Sequence, residues 1–509
     1  MSTSDIIWLL VQVIGSLALF LFGMKYMSEA LQRFAGQGMR NVLASFTSNR
    51  FKSILTGAFV TTVIQSSSAT TVMVVSFVNA GILKLRNAIG VIMGANIGTT
   101  MTAWIITLFG LKFDISAFAI PVIGAGFICM MLNKIKINQV GEFLVGFGIL
   151  FLGLTFLKNT ISDLDLQNSE AVRNIIAACV SDGNAHIGHV LLFLLIGTIL
   201  TTILQSSSAT MALTIVLCSE GVIPLELAVA LVLGENIGTT ITANIAAAIG
   251  NSTAKRAARA HLLFNTIGVL WILVVFRLVM PFINFLTISI EGVSPYVSAA
   301  AVPVALSLFH TLFNIMNTSI LVWFVPQIEK LTSLMVQGSN EEDEVEYRLK
   351  YINTGFMNVG EVSIELAKKE IGEFAKRMVR MYNFIPDLMK MKQNSKEYKP
   401  LLSRVQHYEE ISDRMEIEIA DYLDKIRSES ISGDSSLRMR GMLRIVDNLE
   451  SIGDQNYQLA KMIDDRNNAG VHFSEEMEKN LSGIFELVGQ AHEIMMKNLE
   501  LAYNNVEIT

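Results

Sequence analysis

Gln65-Ser66-Ser67-Ser68-Ala69-Thr70 recurs without change as Gln205-Ser206-Ser207-Ser208-Ala209-Thr210, and each copy sits inside an apolar stretch long enough to enter a bilayer. A second pair keeps the same 140-residue offset (65 to 205, 94 to 234): Gly94-Ala95-Asn96-Ile97-Gly98-Thr99-Thr100 against Gly234-Glu235-Asn236-Ile237-Gly238-Thr239-Thr240. Polar runs are costly in hydrocarbon, because each hydroxyl and amide needs a partner that lipid cannot supply. Two matched runs at membrane depth therefore imply one shared site, as in transport proteins built from an internal repeat.

Working outward, the chain has 509 residues, of which 51% are hydrophobic, and a mean hydropathy of +0.47. These values place it in the membrane class. Long apolar spans fill residues 1 to about 330, whereas 341–509 is rich in Lys, Arg, Asp and Glu with helical periodicity. The net charge of −6 averages two unlike regions and says nothing about partners; no nucleic-acid partner is expected. The first span, from about Ile6 to Met24, lacks a basic leader and a small-x-small cleavage site, so it reads as a retained helix. Cys129, Cys179 and Cys218 lie far apart, with Cys179 in an expected exposed loop. That excludes a disulfide framework or a Cys-x-x-Cys metal site and leaves Cys129 and Cys218 as small buried hydrophobes.

Apolar spans are predicted at about 6–24, 53–83, 87–110, 117–133, 138–157, 188–219, 227–250, 260–282 and 301–325. The two that carry the serine triplets are too long for one crossing and too short for two, with the polar run in the middle. A re-entrant helix–break–helix hairpin fits both, irregular backbone being tolerated where it lines a cavity. Loop charge agrees. Residues 25–52 hold Lys25, Arg33, Arg40, Arg50 and Lys52 against Glu29 alone, and Lys84, Arg86, Lys134, Lys136, Lys255, Arg256 and Arg259 follow later spans. The positive-inside rule puts all of them in the cytoplasm. Asp163, Asp165, Glu170, Asp182, Glu220 and Glu226 then lie outside. Three crossings plus one hairpin per repeat force the second copy to be inverted. Gly23 matches Gly153, and Met27, Leu31 and Phe34 match Leu157, Ile161 and Leu164, forming an apolar face on a helix expected at the membrane surface. The expected fold is all-α: a polytopic membrane body of two inverted repeats, 1–135 and 136–335 with a final transmembrane helix, and a soluble bundle over 341–509. Residues 337–343 read as its linker. Helices are predicted at roughly 345–391, 398–428, 436–465 and 475–503, broken by Pro386, Pro400 and Gly433.

Hydroxyls can donate to an oxyanion or offer lone pairs to a hard cation. A half-helix starting at a serine triplet would aim free N–H groups and its positive dipole end at an anion. The glycines of the second motif are those a broken helix requires. No Lys or Arg stands in either motif, so a multivalent anion there needs its counter-charge from bound cations, and oxygen ligands select Na+ over a soft metal. A serine-hydrolase reading has less to support it, because no Gly-x-Ser-x-Gly elbow is present and no His and acid are placed to activate the serines. The chain is not expected to be an enzyme.

These four segments resemble the type II sodium–phosphate cotransporter family over about residues 10–325, and the tail looks like a PhoU-type domain. The resemblance implies a symporter that imports inorganic phosphate on the Na+ gradient by alternating access, in a bacterial inner membrane, with the tail cytoplasmic. It implies phosphate at Gln65, Ser66, Ser67, Ser68, Gln205, Ser206, Ser207 and Ser208. Na+, as the coupling ion, would lie near Thr70, Asn96, Thr99, Thr100, Thr210, Asn236, Thr239 and Thr240, where the asparagines and threonines are cation ligands or hairpin supports. Glu235 replaces Ala95 of the first repeat. It caps a half-helix or faces a vestibule, or else it neutralises a cation or carries a proton. A carrier of another oxyanion and a phosphate sensor without net transport are the competing functions.

His261 and His310 each open a His-x-Leu-Phe-Asn segment, for which interhelical hydrogen bonding is the plain account and a role in transport the alternative. In the tail, Glu409 and Asp413, and Glu450 and Asp454 with Asp447 one turn earlier, are acids on one helical face. They resemble a divalent-metal motif of PhoU-like proteins, and equally a solvated face. Met378, Met381, Met389 and Met391 are expected to fill the bundle core. The tail would regulate transport or mediate homodimer contacts.

Overall fold

The computed structural model describes residues 3–45, 49–79, 83–112, 116–132, 134–170, 172, 174, 180–181, 184–248, 250–336, 349, 352, 360–391, 393, 395–427 and 433–500. Cys179, Asp182 and the linker at 337–343 lie outside these residues. The chain divides into two compact units, Met1–Ser339 and Asn340–Thr509.

In the first unit the helices are α1 (Thr3–Ser45), α2 (Arg50–Ile64), α3 (Ser67–Asn79), α4 (Leu85–Ile105, prolonged by a π-helical segment, Ile106–Lys112), α5 (Ser116–Met130) and α6 (Ile135–Asp163). They continue as α7 (Ile187–Leu204), α8 (Ser207–Ser219), α9 (Leu225–Gly238), α10 (Thr240–Ala247), α11 (Ser252–Glu291), α12 (Val302–Leu321) and α13 (Val325–Met335). A two-residue antiparallel ladder joins Val180–Ser181 to Asn184–Ala185. Among the described residues, seven helical segments are long and apolar enough to cross a membrane, beginning at Val11, Leu85, Lys136, Ile187, Leu225, Ser252 and Ala299.

Two expectations change. The first span and the surface helix are one 43-residue helix, α1, about 65 Å long at 1.5 Å per residue. Its partner α6 is equally continuous, and Met27, Leu157 and Ile161 are buried rather than laid on a surface. The matched glycines explain the pairing. A Cβ on Gly23 would stand 2.3 Å from the Leu150 nitrogen, and one on Gly153 would stand 2.3 Å from that of Phe20. Each helix thus opens a slot for the other's backbone. Cys218 is buried as expected, whereas Cys129 is only half-buried.

Around this frame, Phe20, Phe151, Leu154, Ile215, Val229, Val232, Phe309 and Phe313 form one apolar core. Apolar side chains such as Ile203, Val274 and Leu278 remain exposed at 72%, 86% and 74%, which suits helices whose outer faces meet lipid rather than water.

The second unit contains α14 (Gly360–Lys390), α15 (Tyr398–Arg427), α16 (Gly433–Asn468) and α17 (Glu475–Glu500). Pro386 lies inside α14 without ending it, and Pro400 falls in the first turn of α15, where its missing N–H costs no hydrogen bond. Met378 and Met381 are fully buried among Phe374, Ile385, Val405, Met415, Leu423 and Val446, with Met389 and Met391 packed against that core.

Candidate functional site

Each serine triplet begins a new helix at a break. Asn49 caps α2 by accepting from the Lys52 N–H at 2.9 Å, and the helix runs to Ile64. There Gln65 turns left-handed (φ 57°, ψ 25°), and its N–H closes the last turn on the Thr61 carbonyl at 2.7 Å. Gln205 repeats the turn at the end of α7 (φ 51°, ψ 26°). A left-handed non-glycine residue costs about 1–2 kcal/mol, and holding it twice at matched positions marks the break as built rather than accidental.

Past the break, Ser66 and Ser206 cap α3 and α8 alike. Each hydroxyl accepts from an alanine N–H, Ala69 or Ala209, at 3.2 Å. The first-turn N–H groups of Ser67, Ser68, Ser207 and Ser208 then have no carbonyl one turn earlier in their own helix, and they point out of its positive end. One bond ties the two arms of each hairpin together. Thr61 Oγ1 donates to Thr70 Oγ1 at 3.0 Å, and Thr201 Oγ1 donates to Thr210 Oγ1 at 2.9 Å. Thr61 and Thr201 are absent from the sequence-based site, although the repeat already extended upstream to them as Thr-Thr-x-x-Gln.

The second motif does not break its helix. α4 runs unbroken through Gly94–Thr100, and α9 meets α10 at Thr239, which keeps helical dihedrals (φ −57°, ψ −27°). The glycines serve contact instead. A Cβ on Gly94 would lie 1.9 Å from the Ile54 carbonyl oxygen, and one on Gly234 would lie 1.9 Å from that of Leu194. Gly98 and Gly238 meet the Ala58 and Thr198 oxygens at 2.6 Å in the same way. Backbone therefore lies on backbone where α2 crosses α4 and where α7 crosses α9, which holds each motif beside its hairpin.

The polar side chains of that motif turn their protons onto their own helix. Asn96 and Asn236 donate to the Ile92 and Val232 carbonyls at 2.9 and 2.8 Å. Thr99 and Thr239 donate to Ala95 and Glu235, and Thr100 and Thr240 to Ile97 and Ile237. The threonine oxygens then keep their lone pairs for a hard cation, and each asparagine offers its carbonyl oxygen together with one remaining N–H.

Two features break the symmetry. The Gln65 side chain is buried and accepts from Thr102 Oγ1 at 2.9 Å, whereas Gln205 is exposed and makes no such bond to Thr242, the residue matching Thr102. Glu235 lies within α9 with 1% exposure, and its Oε2 has no hydrogen-bond partner. It neither caps a half-helix nor faces an open vestibule. The plain account of the histidine segments also changes. Asn265 and Asn314 bond back to the His261 and His310 carbonyls of their own helices, at 3.2 and 3.0 Å.

In the second unit, Glu409, Asp413 and Asp454 each bring a carboxylate oxygen within 4.8 Å of the others. Asp447 and Glu450 stand outside that group. Partial burial, then repulsion from Asp413 and Asp454, raises the Glu409 carboxyl above its ordinary value.

Comparison with known proteins gives three kinds of likeness. The Na+/Pi-cotransporter family matches residues 19–159 and 167–294. The YqeW protein of Bacillus subtilis, uncharacterised, is 31% identical over 64% of this chain and 98% of its own length. YjbB of Escherichia coli K12, provisionally named an inorganic phosphate export protein, is 25% identical over 97% of this chain and 84% of its own length. Human sodium-dependent phosphate transport protein 2B is 40% identical over 103 residues, 19% of this chain and 15% of that protein. No solved structure matches.

Proposed function

Because the chain belongs to the Na+/Pi-cotransporter family, a family of transporters and not of enzymes, we propose that its first unit carries inorganic phosphate across a bacterial plasma membrane by alternating access, inward and coupled to Na+. The observation that carries this reading is the twofold cradle. Two left-handed glutamines each open a helix whose capped first turn offers serine hydroxyls and free N–H groups, with a lone-pair-rich Asn-Ile-Gly-Thr-Thr segment on the neighbouring helix. Anion and cation then neutralise one another in a site without Lys or Arg. Phosphate takes Gln65–Ser68 and Gln205–Ser208. Na+ takes the Thr70, Asn96, Thr99 and Thr100 oxygens and their partners Thr210, Asn236, Thr239 and Thr240, with Glu235 beside them either to neutralise a cation or to carry a proton. In this reading the hairpins are re-entrant from opposite faces of the membrane and the halves form an inverted repeat.

The name of the E. coli relative, which aligns over both units, supports a second direction, export. Radiolabelled phosphate flux in proteoliposomes decides it, with the Na+ gradient imposed each way. Import predicts uptake only with Na+ outside, and flux indifferent to Na+ overturns the coupling. Replacing Ser66, Ser67 and Ser68 together by Ala is expected to abolish flux in inserted, monodisperse protein.

For the second unit the proposal is a regulatory, PhoU-like, cytoplasmic bundle in which Glu409, Asp413 and Asp454 hold a divalent cation. Three acids in mutual repulsion are a donor set that such an ion relieves. Asp447 and Glu450 stand outside this group of three.

A further inference from the structure

Among the described residues of the first unit, the two His-x-Leu-Phe-Asn segments carry a matched set of unsatisfied polar atoms. Asn265 Oδ1, Asn314 Oδ1, both ring nitrogens of His261 and Nδ1 of His310 are buried without a hydrogen-bond partner. The four residues are between 0% and 2% exposed. Each asparagine has turned its amide nitrogen back one turn onto the histidine carbonyl, so its oxygen is the group it presents. An unpaired buried acceptor costs about 1–3 kcal/mol, and here the cost is borne twice, in the same geometry, on two helices.

The register between helices shows what these oxygens lie beside. α4 and α12 run antiparallel. Thr318 Oγ1 bonds the Met93 carbonyl at 3.4 Å, Trp104 Nε1 donates to Thr311 Oγ1 at 2.9 Å, and Thr107 meets Ser307 at 2.9 Å. Asn314 falls on the helical stripe 311–314–318, which faces the stripe 93–97–100–104 of α4. That stripe contains Thr100. On the other side, Asn244 Nδ2 donates to the Ala258 carbonyl at 3.3 Å, and Arg259 Nη1 donates to Asn244 Oδ1 at 3.0 Å. These two helices, α10 and α11, are joined by the short connection 248–251 and pack on one another as a hairpin, so one turn from this crossing brings His261 level with Thr240 and a second brings Asn265 level with Ile237. Thr100 and Thr240 have both spent their protons on their own helices, on Ile97 and Ile237. Oxygen lone pairs of asparagine and threonine therefore lie at both places, and no hydrogen bond satisfies the asparagine oxygens. A cation satisfies such a set. A water on that cation, with a proton to give and a lone pair to offer, satisfies the imidazole.

We propose that Asn265 and Asn314 each supply a side-chain oxygen to a buried Na+ site, one at the Ile237–Thr240 turn and one beside Thr100. This rests on the reading of Na+ as the coupling ion and adds ligands from α11 and α12 to it. The helices that join the two halves would then sense the ion directly.

Tryptophan emission tests it, because Trp104 bonds Thr311 and Trp271 bonds Asn317, one on each side. In the full-length protein with Trp8→Phe and Trp323→Phe, NaCl is titrated against choline chloride at constant ionic strength. The parent is expected to show a saturable Na+ response. Asn265→Leu and Asn314→Leu are each expected to raise its midpoint about tenfold or more, the effect of losing about 1.4 kcal/mol. Asn265→Asp and Asn314→Asp keep the oxygen and add charge, so their midpoints are expected to fall, and they serve if the leucine variants do not fold. Unshifted midpoints in the folded variants mean that these residues hold ordered water only, and overturn the assignment. Phosphate flux on the same samples separates the two failures. Na+-dependent flux with unshifted midpoints sinks the asparagine ligands alone, whereas flux without Na+ dependence in the parent sinks the coupling reading beneath them.

Discussion

Gln65 and Gln205 share one backbone conformation, yet their side chains are held differently. Gln65 is buried with its oxygen bonded to Thr102, while Gln205 is exposed and the matching Thr242 is only half-buried. The cost of removing either threonine hydroxyl follows from burial. Thr102→Val leaves a buried acceptor unpaired and is expected to lower stability by about 1–3 kcal/mol, whereas Thr242→Val removes no such bond and should stay within about 0.5 kcal/mol. Thermal unfolding of the two variants in detergent checks the difference, and equal losses would show that Gln205 is held as Gln65 is. At this scale the sequence was informative about identity and blind to state. The doubled Gln-Ser-Ser-Ser-Ala-Thr run marked the break to the residue. Nothing in two identical strings could say that one glutamine is tied and the other exposed, because the difference depends on a neighbouring helix. The same holds for Thr61 and Thr201, whose hydroxyls meet partners nine residues away only once the chain has folded back.

Between helices, the glycines decide how close the motifs come. Sequence reading took Gly94, Gly98, Gly234 and Gly238 as places where a helix breaks, since glycine lowers helix propensity. The competing use, contact across an interface, is invisible without knowing which carbonyl lies opposite. In the folded unit that carbonyl is 40 residues earlier in both halves, Ile54 for Gly94 and Leu194 for Gly234. What was legible was the pairing itself, because Gly57 and Gly197 stand at the same 140-residue offset and close on Val91 and Leu231. Gly94→Ala or Gly234→Ala must therefore push two helix backbones apart. Each is expected to cost about 1–3 kcal/mol or more, the range for overpacking, and to lower phosphate flux by moving the Asn-Ile-Gly-Thr-Thr oxygens away from the serines. Gly372→Ala in α14, where a new Cβ meets nothing within 4 Å, should instead stabilise by about 0.5–1 kcal/mol. Melting temperatures of the three variants, with flux for the first two, test the contrast. A neutral Gly94→Ala would mean that the helices do not touch there.

Across the whole molecule, the chain falls into two compact units, Met1–Ser339 and Asn340–Thr509, and lipid and water demand opposite helix surfaces. The second unit's acids respond to pH in a direction set by their surroundings. Partial burial, then Asp413, Asp454 and Glu410, raise the Glu409 carboxyl, against Lys461; burial, then Asp454 and Glu416, raise Glu450. A carboxyl raised by folding binds its proton more tightly in the bundle than in the unfolded chain. Its stabilising share is thus complete below the ordinary glutamate value and fades as pH rises through the raised one. His492 acts the other way. Burial lowers its imidazole, so its contribution is present above the ordinary histidine value and fades as pH falls through the lowered one. A melting curve of the parent alone mixes the two. Glu409→Gln separates them, because it removes one carboxylate and leaves His492 in place. At pH 7 the variant's second unit is expected to melt above the parent's, with the gap closing as pH falls toward 4. A divalent cation bound by Glu409, Asp413 and Asp454 predicts one effect more, since Mg2+ or Mn2+ at pH 7 should raise the parent's transition and leave the variant's nearly still. If the variant gains at pH 7 but the metal moves neither protein, the acids form a solvated, self-repelling face. If Glu409→Gln gains nothing at any pH, the repulsion between the three carboxylates has no weight in the fold, and the case for an ion among them goes with it.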